Sequence, residues 1–262
     1  MAEPPPRNNG RHDPIWRHLS TRPLNNPTGG LLFGAMARTL DPEAHSQRRD
    51  AYTDAAQRLI QTRGYEQFSI QDVIDEIGTS KGAFYHYFGS KESLLEAVID
   101  RMADAAFDLM VPIVNDPDLA AIDKLQLVFS TVAAWKGERK DFFVELLRVW
   151  MSAPNSVVRE HFRREAAARM TPLLTTIIHQ GMVEGAFTPT SSDGAAAVLV
   201  SMLLGANEVA TRLFLGRRDG SVTFDEVVVR LAAFTEAYER VLGLAAGSWV
   251  MLDDETLHLW FD

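Results

Sequence analysis

The sequence contains no cysteine, and that single absence removes several functional classes. Disulfide scaffolds, thiolate metal sites and thiol-based redox sensing all need a sulfur that is not there. Long apolar runs are scarce as well. The longest, Ala195 to Ala206, falls short of the roughly 20 residues that a membrane-spanning helix needs. The opening MAEPPPRNNG has no apolar stretch of the kind that drives secretion. The expectation is a soluble cytoplasmic protein with no membrane partner. Catalytic constellations are missing too: no Ser-His-Asp ordering, no phosphate-binding glycine loop, no H-E-x-x-H pair. No enzyme and no cofactor are expected. His161 and Glu165 are spaced i, i+4 with Glu160 adjacent, but such a trio reads as a solvated helix face, so no metal is expected either.

What remains is a chain of 262 residues, 46% of them hydrophobic, enough for a real core in one or two domains. Its apolar residues recur at helical spacing nearly throughout, which predicts an all-α fold. Residues 1–40 are the exception. They hold three consecutive prolines, scattered Asn and Gly and no helical period, and read as a flexible tail, with Met36 as a candidate translation start. Asp41-Pro42-Glu43 then reads as N-cap, first-position proline and acidic first turn. Ala51, Ala55, Ala56, Leu59 and Ile60 give that helix its buried stripe, and Arg63-Gly64 ends it. Arg48 and Arg49 lie before the stripe, as a basic arm toward a groove or as solvated charges.

The most informative stretch is Ser69 to Lys91, SIQDVIDEIGTSKGAFYHYFGSK. Ser69 with Asp72 three residues on is the signature of a capped helix start. Ile70, Val73, Ile74 and Ile77 form one apolar stripe over barely two turns, and Gly78 suits the left-handed conformation of a helix end. Ser80 caps a second short helix whose inner face is Phe84, Tyr87 and Phe88. Lys81, Gly82, Tyr85 and His86 are left facing outward. Gly89-Ser90 breaks and recaps, and Lys91 opens a third helix. This is the pattern of a helix-turn-helix.

The outer face indicates nucleic acid. Phosphate recognition uses cations, hydroxyls and free backbone N–H groups at a helix N-terminus, and Ser80, Lys81 and Gly82 offer all three in one turn. Tyr85 and His86 can bond to phosphate or to base edges. Ser69, Gln71, Ser80, Lys81, Gly82, Tyr85, His86, Tyr87 and Lys91 are the candidate DNA contacts, Lys91 through the flanking phosphates. Net charge argues the other way at −9, and residues 36–101 carry eight Lys or Arg against eleven Asp or Glu. Affinity follows the local field, however, and from Thr79 to Lys91 there are two lysines and no acid. The alternative is a helix-turn-helix interaction protein that has lost DNA binding.

Gly64-Tyr65, Phe68-Ser69-Ile70, Ile77-Gly78-Thr79-Ser80-Lys81-Gly82-Ala83-Phe84-Tyr85-His86-Tyr87-Phe88 and Ser90-Lys91-Glu92-Ser93-Leu94-Leu95 together resemble the N-terminal domain of the tetracycline-repressor (TetR) family. The resemblance covers residues 45 to about 100, with Thr79 standing where an apolar residue is more usual. It implies a transcriptional regulator that binds a near-palindromic operator in double-stranded DNA as a homodimer. It further implies a repressor released by a small apolar or amphipathic effector held in a variable helical domain. The expected organisation is a tail over 1–40, the DNA-binding domain over 41–95, a ligand-binding and dimerisation domain over 96–243 and a C-terminal tail over 244–262.

Beyond the motif, the spacing predicts helices over Glu92 to Val111, stopping at Pro112, then Asp118 to Glu138 and Asp141 to Met151. A long helix from Pro154 is expected to kink or break at Met170–Thr171, ahead of Pro172. Asp193–Leu215 and Phe224–Leu242 follow. The first of this pair is rich in small residues (Ala197, Ser201 and Gly205 among them), which permits close helix approach, and the resemblance makes the pair a dimer bundle. Phe129, Trp135, Phe143, Trp150 and Phe162 are candidate pocket aromatics with Arg148 and His161 as polar anchors, or else plain core. Trp249, Leu257, Trp260 and Phe261 in the tail are too apolar to lie in water, with no partner assigned.

Overall fold

A computed structural model describes residues 42–150 and 156–262, with the backbone but not the side chain of Trp150. The expected cap at Asp41 and the helix limits at Met151 and Pro154 lie outside the described residues. Among those described the chain is all α-helix: α1 Pro42–Arg63, α2 Ile70–Ile77, α3 Lys81–Tyr87, α4 Lys91–Asn115, α5 Ala121–Gly137, α6 Lys140–Trp150, α7 Ser156–Glu184, α8 Ser192–Asp219, α9 Phe224–Leu242 and α10 Asp254–Phe261.

Three apolar clusters hold these helices. The first gathers Tyr52, Ala56 and Ile60 of α1, Val73 and Ile74 of α2, Phe84 of α3 and Leu94 and Val98 of α4. Phe142 of α6 and Val158 of α7 close it from the far side. The second is built on the other half of α4 (Phe107, Met110, Val114), with Leu125 of α5, Leu174 and Ile177 of α7 and Leu199 of α8. The third joins Val144 of α6, Leu213 and Phe214 of α8, Val227 and Leu231 of α9 and Leu257 and Phe261 of α10. Helix α4 therefore contributes to two cores, one at each end. A rigid helix shared in this way transmits a push at one end to the other, because close-packed interiors shift as units.

Two proline expectations are corrected. Helix α4 runs through Pro112 to Asn115, and α7 is continuous through Pro172. Proline removes one ladder hydrogen bond and frees a carbonyl four residues earlier. Both prolines and the residues that lose their partner, Asp108 and Ala168, lie on exposed faces, where water can take the bond. Buried Met110 and Val114 hold α4, and buried Met170 and Leu174 hold α7, across each proline.

Helix α5 starts later than its spacing suggests, because its cap comes from elsewhere in the chain. The Ala121 N–H donates to Glu184 Oε2 at 3.0 Å. Lys124, 4% exposed, donates to the Val114 carbonyl at 2.8 Å and to Gln180 Oε1 at 2.7 Å. One buried ammonium thus ties α5 to the ends of α4 and α7.

The apolar C-terminus also finds partners. Trp249 stacks on Tyr238 with ring centroids 5.2 Å apart and meets Phe129 edge-on at 5.1 Å, while the Tyr238 hydroxyl donates to the Leu199 carbonyl at 2.7 Å. Helix α8 has the length and mean hydropathy of a membrane span, yet Ala195, Ala196, Leu199, Val200, Leu213 and Phe214 are buried in the second and third clusters. Those residues account for part of its apolar character, while Ala197, Val198 and Ser201 remain exposed.

Candidate nucleic-acid interface

Helix α2 begins with a reciprocal cap. Ser69 Oγ accepts from the Asp72 N–H at 3.3 Å, and Asp72 Oδ2 accepts from the Ser69 N–H at 2.7 Å. Bonds from the Ser69 hydroxyl and N–H, assisted by Arg63 at 2.9 Å, hold the Asp72 carboxyl down to about 2. Gly78 ends the helix at φ 65°, ψ 44°, a region that costs a side chain of ordinary chirality about 1–2 kcal/mol. The turn is then pinned by Thr79, whose Oγ1 lies 3.2 Å from the Tyr52 hydroxyl of α1. A threonine at this position is thus a polar anchor to α1.

Helix α3 follows with Ser80 as its cap, its Oγ accepting from the Ala83 N–H at 3.2 Å. That bond uses only an oxygen lone pair, so the exposed Ser80 hydroxyl keeps its proton to donate. Phe84 is fully buried, against Tyr52 at 5.5 Å and Phe88 at 5.9 Å. Anchoring Phe84 inward fixes the rotation of the helix and leaves Lys81, Gly82, Tyr85 and His86 exposed. Tyr85 is 48% exposed. Tyr87 is half-buried between Tyr52 at 5.5 Å and His45 at 4.7 Å, so it supports the face from behind.

The acids that set the region's negative balance are turned to partners on the scaffold. Arg58 of α1 donates to Glu76 at 2.7 Å, Arg63 to Asp72, and Gln71 to Asp75 at 2.7 Å. These are exposed pairs worth little in stability. Their electrostatic consequence is local: each carboxylate of α2 has a donor beside it, and α3 carries no carboxylate at all. Gln71 and Ser69 are engaged within α2 in this arrangement, while Lys81 and Tyr85 extend from the surface.

Lys91 is placed differently from expectation. Its Nζ donates to the carbonyls of Tyr65 and Phe68 at 2.6 Å each, and it sits 4.2 Å and 4.4 Å from the centroids of those two rings. Burial lowers its pKa, partly offset by Glu66, Glu92 and Asp72. The ammonium is therefore a clamp between the start of α4 and the short turn Tyr65–Gln67 ahead of α2, not a free cation for the flanking phosphates. The reason is geometric: the turn presents two carbonyls with no helical partner, and a lysine is the nearest multiple donor. Arg101, further along α4, also ties back to α1, with bonds to Asp54, Gln57 and the Thr53 carbonyl.

The candidate pocket residues are not brought together. Phe129 is packed on Tyr238 and Trp249 in the second cluster. Trp135 meets Phe143 at 5.5 Å under the Arg139 guanidinium, and Arg148 pairs with Glu145 at 2.7 Å. Of the set's described side chains, His161 and Phe162 line a cleft of about 270 Å³ between α4 and α7, with Asp100, Asp104, Phe107, Glu165 and Arg169. His161 Nε2 lies 3.8 Å from both Glu96 and Asp100 carboxylates. Among the described residues no group of three or more His, Asp or Glu side chains is arranged to hold a metal. The charged lining from α4 escaped sequence reasoning, because nothing in the spacing of one helix says which second helix it faces.

A capped helix, a glycine turn and a second helix that buries its aromatics and exposes a cationic, acid-free surface define a DNA-binding helix-turn-helix protein. Residues 53–98 match the family described as "Bacterial regulatory proteins, tetR family". The chain is 28% identical over 144 residues to the HTH-type transcriptional regulator EthR of Mycolicibacterium smegmatis, covering 48% of this chain and 66% of that protein. It is 26% identical over 197 residues to the HTH-type transcriptional repressor KstR2 of Rhodococcus jostii, covering 71% of this chain and 88% of that one. A crystal structure of a TetR transcription regulator from Haloarcula marismortui shares the fold with a TM-score of 0.54 at 23% identity, over 76% of this chain and 97% of that chain. Residues 53–98 thus carry a DNA-binding domain of TetR-family type, and the named relatives support a DNA-binding transcriptional regulator.

Proposed function

We propose that the protein is a homodimeric repressor that holds a near-palindromic operator and releases it when a small effector binds. The observation that carries this reading is the exposed, acid-free face of α3, backed by Phe84 and Tyr87 and offering Lys81, Tyr85 and His86 to a groove. One such head makes few phosphate contacts and reads few bases. Selection of a site therefore calls for a second copy at fixed spacing.

Support for the second copy comes from α8 and α9. Ala197, Val198 and Ser201 on α8 and Val228, Val229, Ala232 and Ala233 on α9 are exposed. A Cβ at Gly205 would meet nothing within 4 Å. Small and apolar residues on two adjacent helices are what a close, isologous four-helix contact uses. In this reading residues 41–95 are the DNA-binding domain and 96–243 the regulatory and dimerisation domain, with 244–262 packed onto the latter. The protein works in the cytoplasm as a binding protein rather than an enzyme. The repressor assignment draws on the naming of its KstR2 relative.

The α4–α7 cleft is the place we assign to the effector. Helix α4 lines it and, at its N-terminus, is clamped to the head through Lys91, so a displacement there reorients α3. The effector's leverage equals its differential affinity for the two arrangements, about 1.4 kcal/mol per tenfold. The test is selection of bound DNA from a random pool followed by sequencing. A near-palindromic consensus whose binding weakens steeply with salt is expected. Failure to enrich any sequence, with binding indifferent to salt, would favour the fold-retaining interaction protein and overturn the proposal.

A further inference from the structure

We infer that the N-terminal half of α1 is a second phosphate-binding row beside α3, with Arg48 and Arg49 on the DNA backbone that flanks the groove. The inference rests on the DNA-binding reading above and names further contacts for it. The motif itself is short of cations. From Thr79 to Lys91 there are two lysines, and Lys91 is committed to the carbonyls of Tyr65 and Phe68. Helix α2 has neither lysine nor arginine, so Lys81 is the one such side chain left for phosphate. Steep salt dependence needs several neutralised phosphates, because each contributes only about 0.9 to the slope of log affinity against log salt. The other cations have to come from a neighbouring element.

Helix α1 is that neighbour. His45 sets its ring 4.7 Å from Tyr87 and 6.0 Å from His86, so the rim of α3 continues onto α1. Arg48 and Arg49 follow His45 by three and four residues and therefore share its side of the helix. Tyr52, on the same side again, is buried against Phe84 and Phe88. Arg49 carries its guanidinium 5.2 Å over the Phe88 ring, a contact that holds it at the end of α3. Both arginines are exposed. Their charge balance points the same way. The two arginines in the C-terminal half of α1 are neutralised by α2, Arg58 by Glu76 at 2.7 Å and Arg63 by Asp72 at 2.9 Å. Among the described residues neither Arg48 nor Arg49 forms an ion pair, and Asp100 feels the Arg49 charge without pairing with it. The acids of this stretch, Glu43, Asp50 and Asp54, are exposed and fall by helical spacing on the side of α1 opposite Tyr52. Helix α1 thus pairs its arginines beside α2 and keeps a positive edge beside α3, where the planar guanidinium fork suits phosphate oxygens.

The full-length double variant Arg48→Gln, Arg49→Gln is compared with the parent on the selected operator, in band-shift titrations from low to high salt. Thermal melts set a temperature at which both proteins are folded. The salt slope is expected to flatten by about one unit or more and low-salt affinity to fall by about tenfold or more. The consensus selected from a random pool should not change, because phosphate contacts position a protein without reading bases. Arg58→Gln, which removes a cation beside α2, is expected to keep the parent's slope. A double variant with the parent's slope overturns the inference and makes the two arginines solvated surface. An Arg58→Gln slope as flat as that of the double variant overturns it too, since the effect is then one of total charge and not of contact. A double variant that selects a different consensus overturns the phosphate assignment. A parent that binds no DNA removes the DNA-binding reading and this inference together, whereas a parent that binds its operator while the double variant keeps its slope removes this inference alone.

Discussion

Replacing Lys91 by methionine separates a clamp from a phosphate contact. The substitution keeps the aliphatic stem over the Tyr65 and Phe68 rings and removes the ammonium that bonds both carbonyls at 2.6 Å. Hydrogen bonds to a charged group contribute roughly 1.5–3 kcal/mol each, and a cation over an aromatic ring about 0.5–1 kcal/mol at exposed sites. Lys91 is only partly buried, so water replaces part of what is lost, and the net cost falls at or below the low end of that sum, about 3.5 kcal/mol. The expected destabilisation is about 2–3.5 kcal/mol, a large fraction of the roughly 5–15 kcal/mol of a typical domain. At about 2–4 °C per kcal/mol for a chain of this size, Tm should fall by on the order of 5–15 °C. Operator binding is then measured from low to high salt at a temperature where the variant remains folded. The slope of log affinity against log salt should match that of the parent, because no phosphate contact has been removed. Lys81→Met should do the reverse, leaving Tm within about 0.5 kcal/mol equivalent and flattening the slope by about one unit. A Lys91→Met protein with unchanged Tm and a slope reduced by one would refute the clamp and restore Lys91 to the DNA face.

Tyr85→Ala should weaken operator binding more than Tyr87→Ala at unchanged fold, whereas Tyr87→Ala, which opens a gap against Tyr52 and His45, should cost more in stability; band-shift titration and thermal melts on both variants decide. Gly205→Leu should leave the folded protomer intact, since a Cβ at that position points into open space with nothing within 4 Å, yet weaken dimerisation and operator binding together. A variant that sizes as a monomer with full operator affinity would contradict the dimer reading. The Asp72 carboxyl, held at about 2 against a usual 3.8, contributes stability that is present above pH 4 and lost as pH falls toward 2. Asp72→Asn should therefore be less stable than the parent at neutral pH and converge with it below pH 2, as read from urea midpoints across that range.

The sequence by itself determined the head. The Ser69–Asp72 cap, the Gly78 turn and the Ser80 cap are fixed by contacts within a few residues of one another, and the apolar spacing of α3 already marks Phe84 as inward, so local sequence encodes these features directly. The same locality explains why α9 appears in the structure over the very span its apolar stripe predicts, Phe224–Leu242. Tertiary structure decided whatever depends on a distant partner. Lys91 looks like one more exposed cation until two carbonyls, 26 and 23 positions earlier, are folded beside it. Pro112 and Pro172 read as breaks until their freed carbonyls are found facing water while the opposite faces of α4 and α7 are held in the core. The expected aromatic pocket was dispersed for the same reason: helical spacing tells which residues share a face, not which face of another helix they will meet. The carboxylates of α4 thus became a cleft lining only when α7 was laid across them.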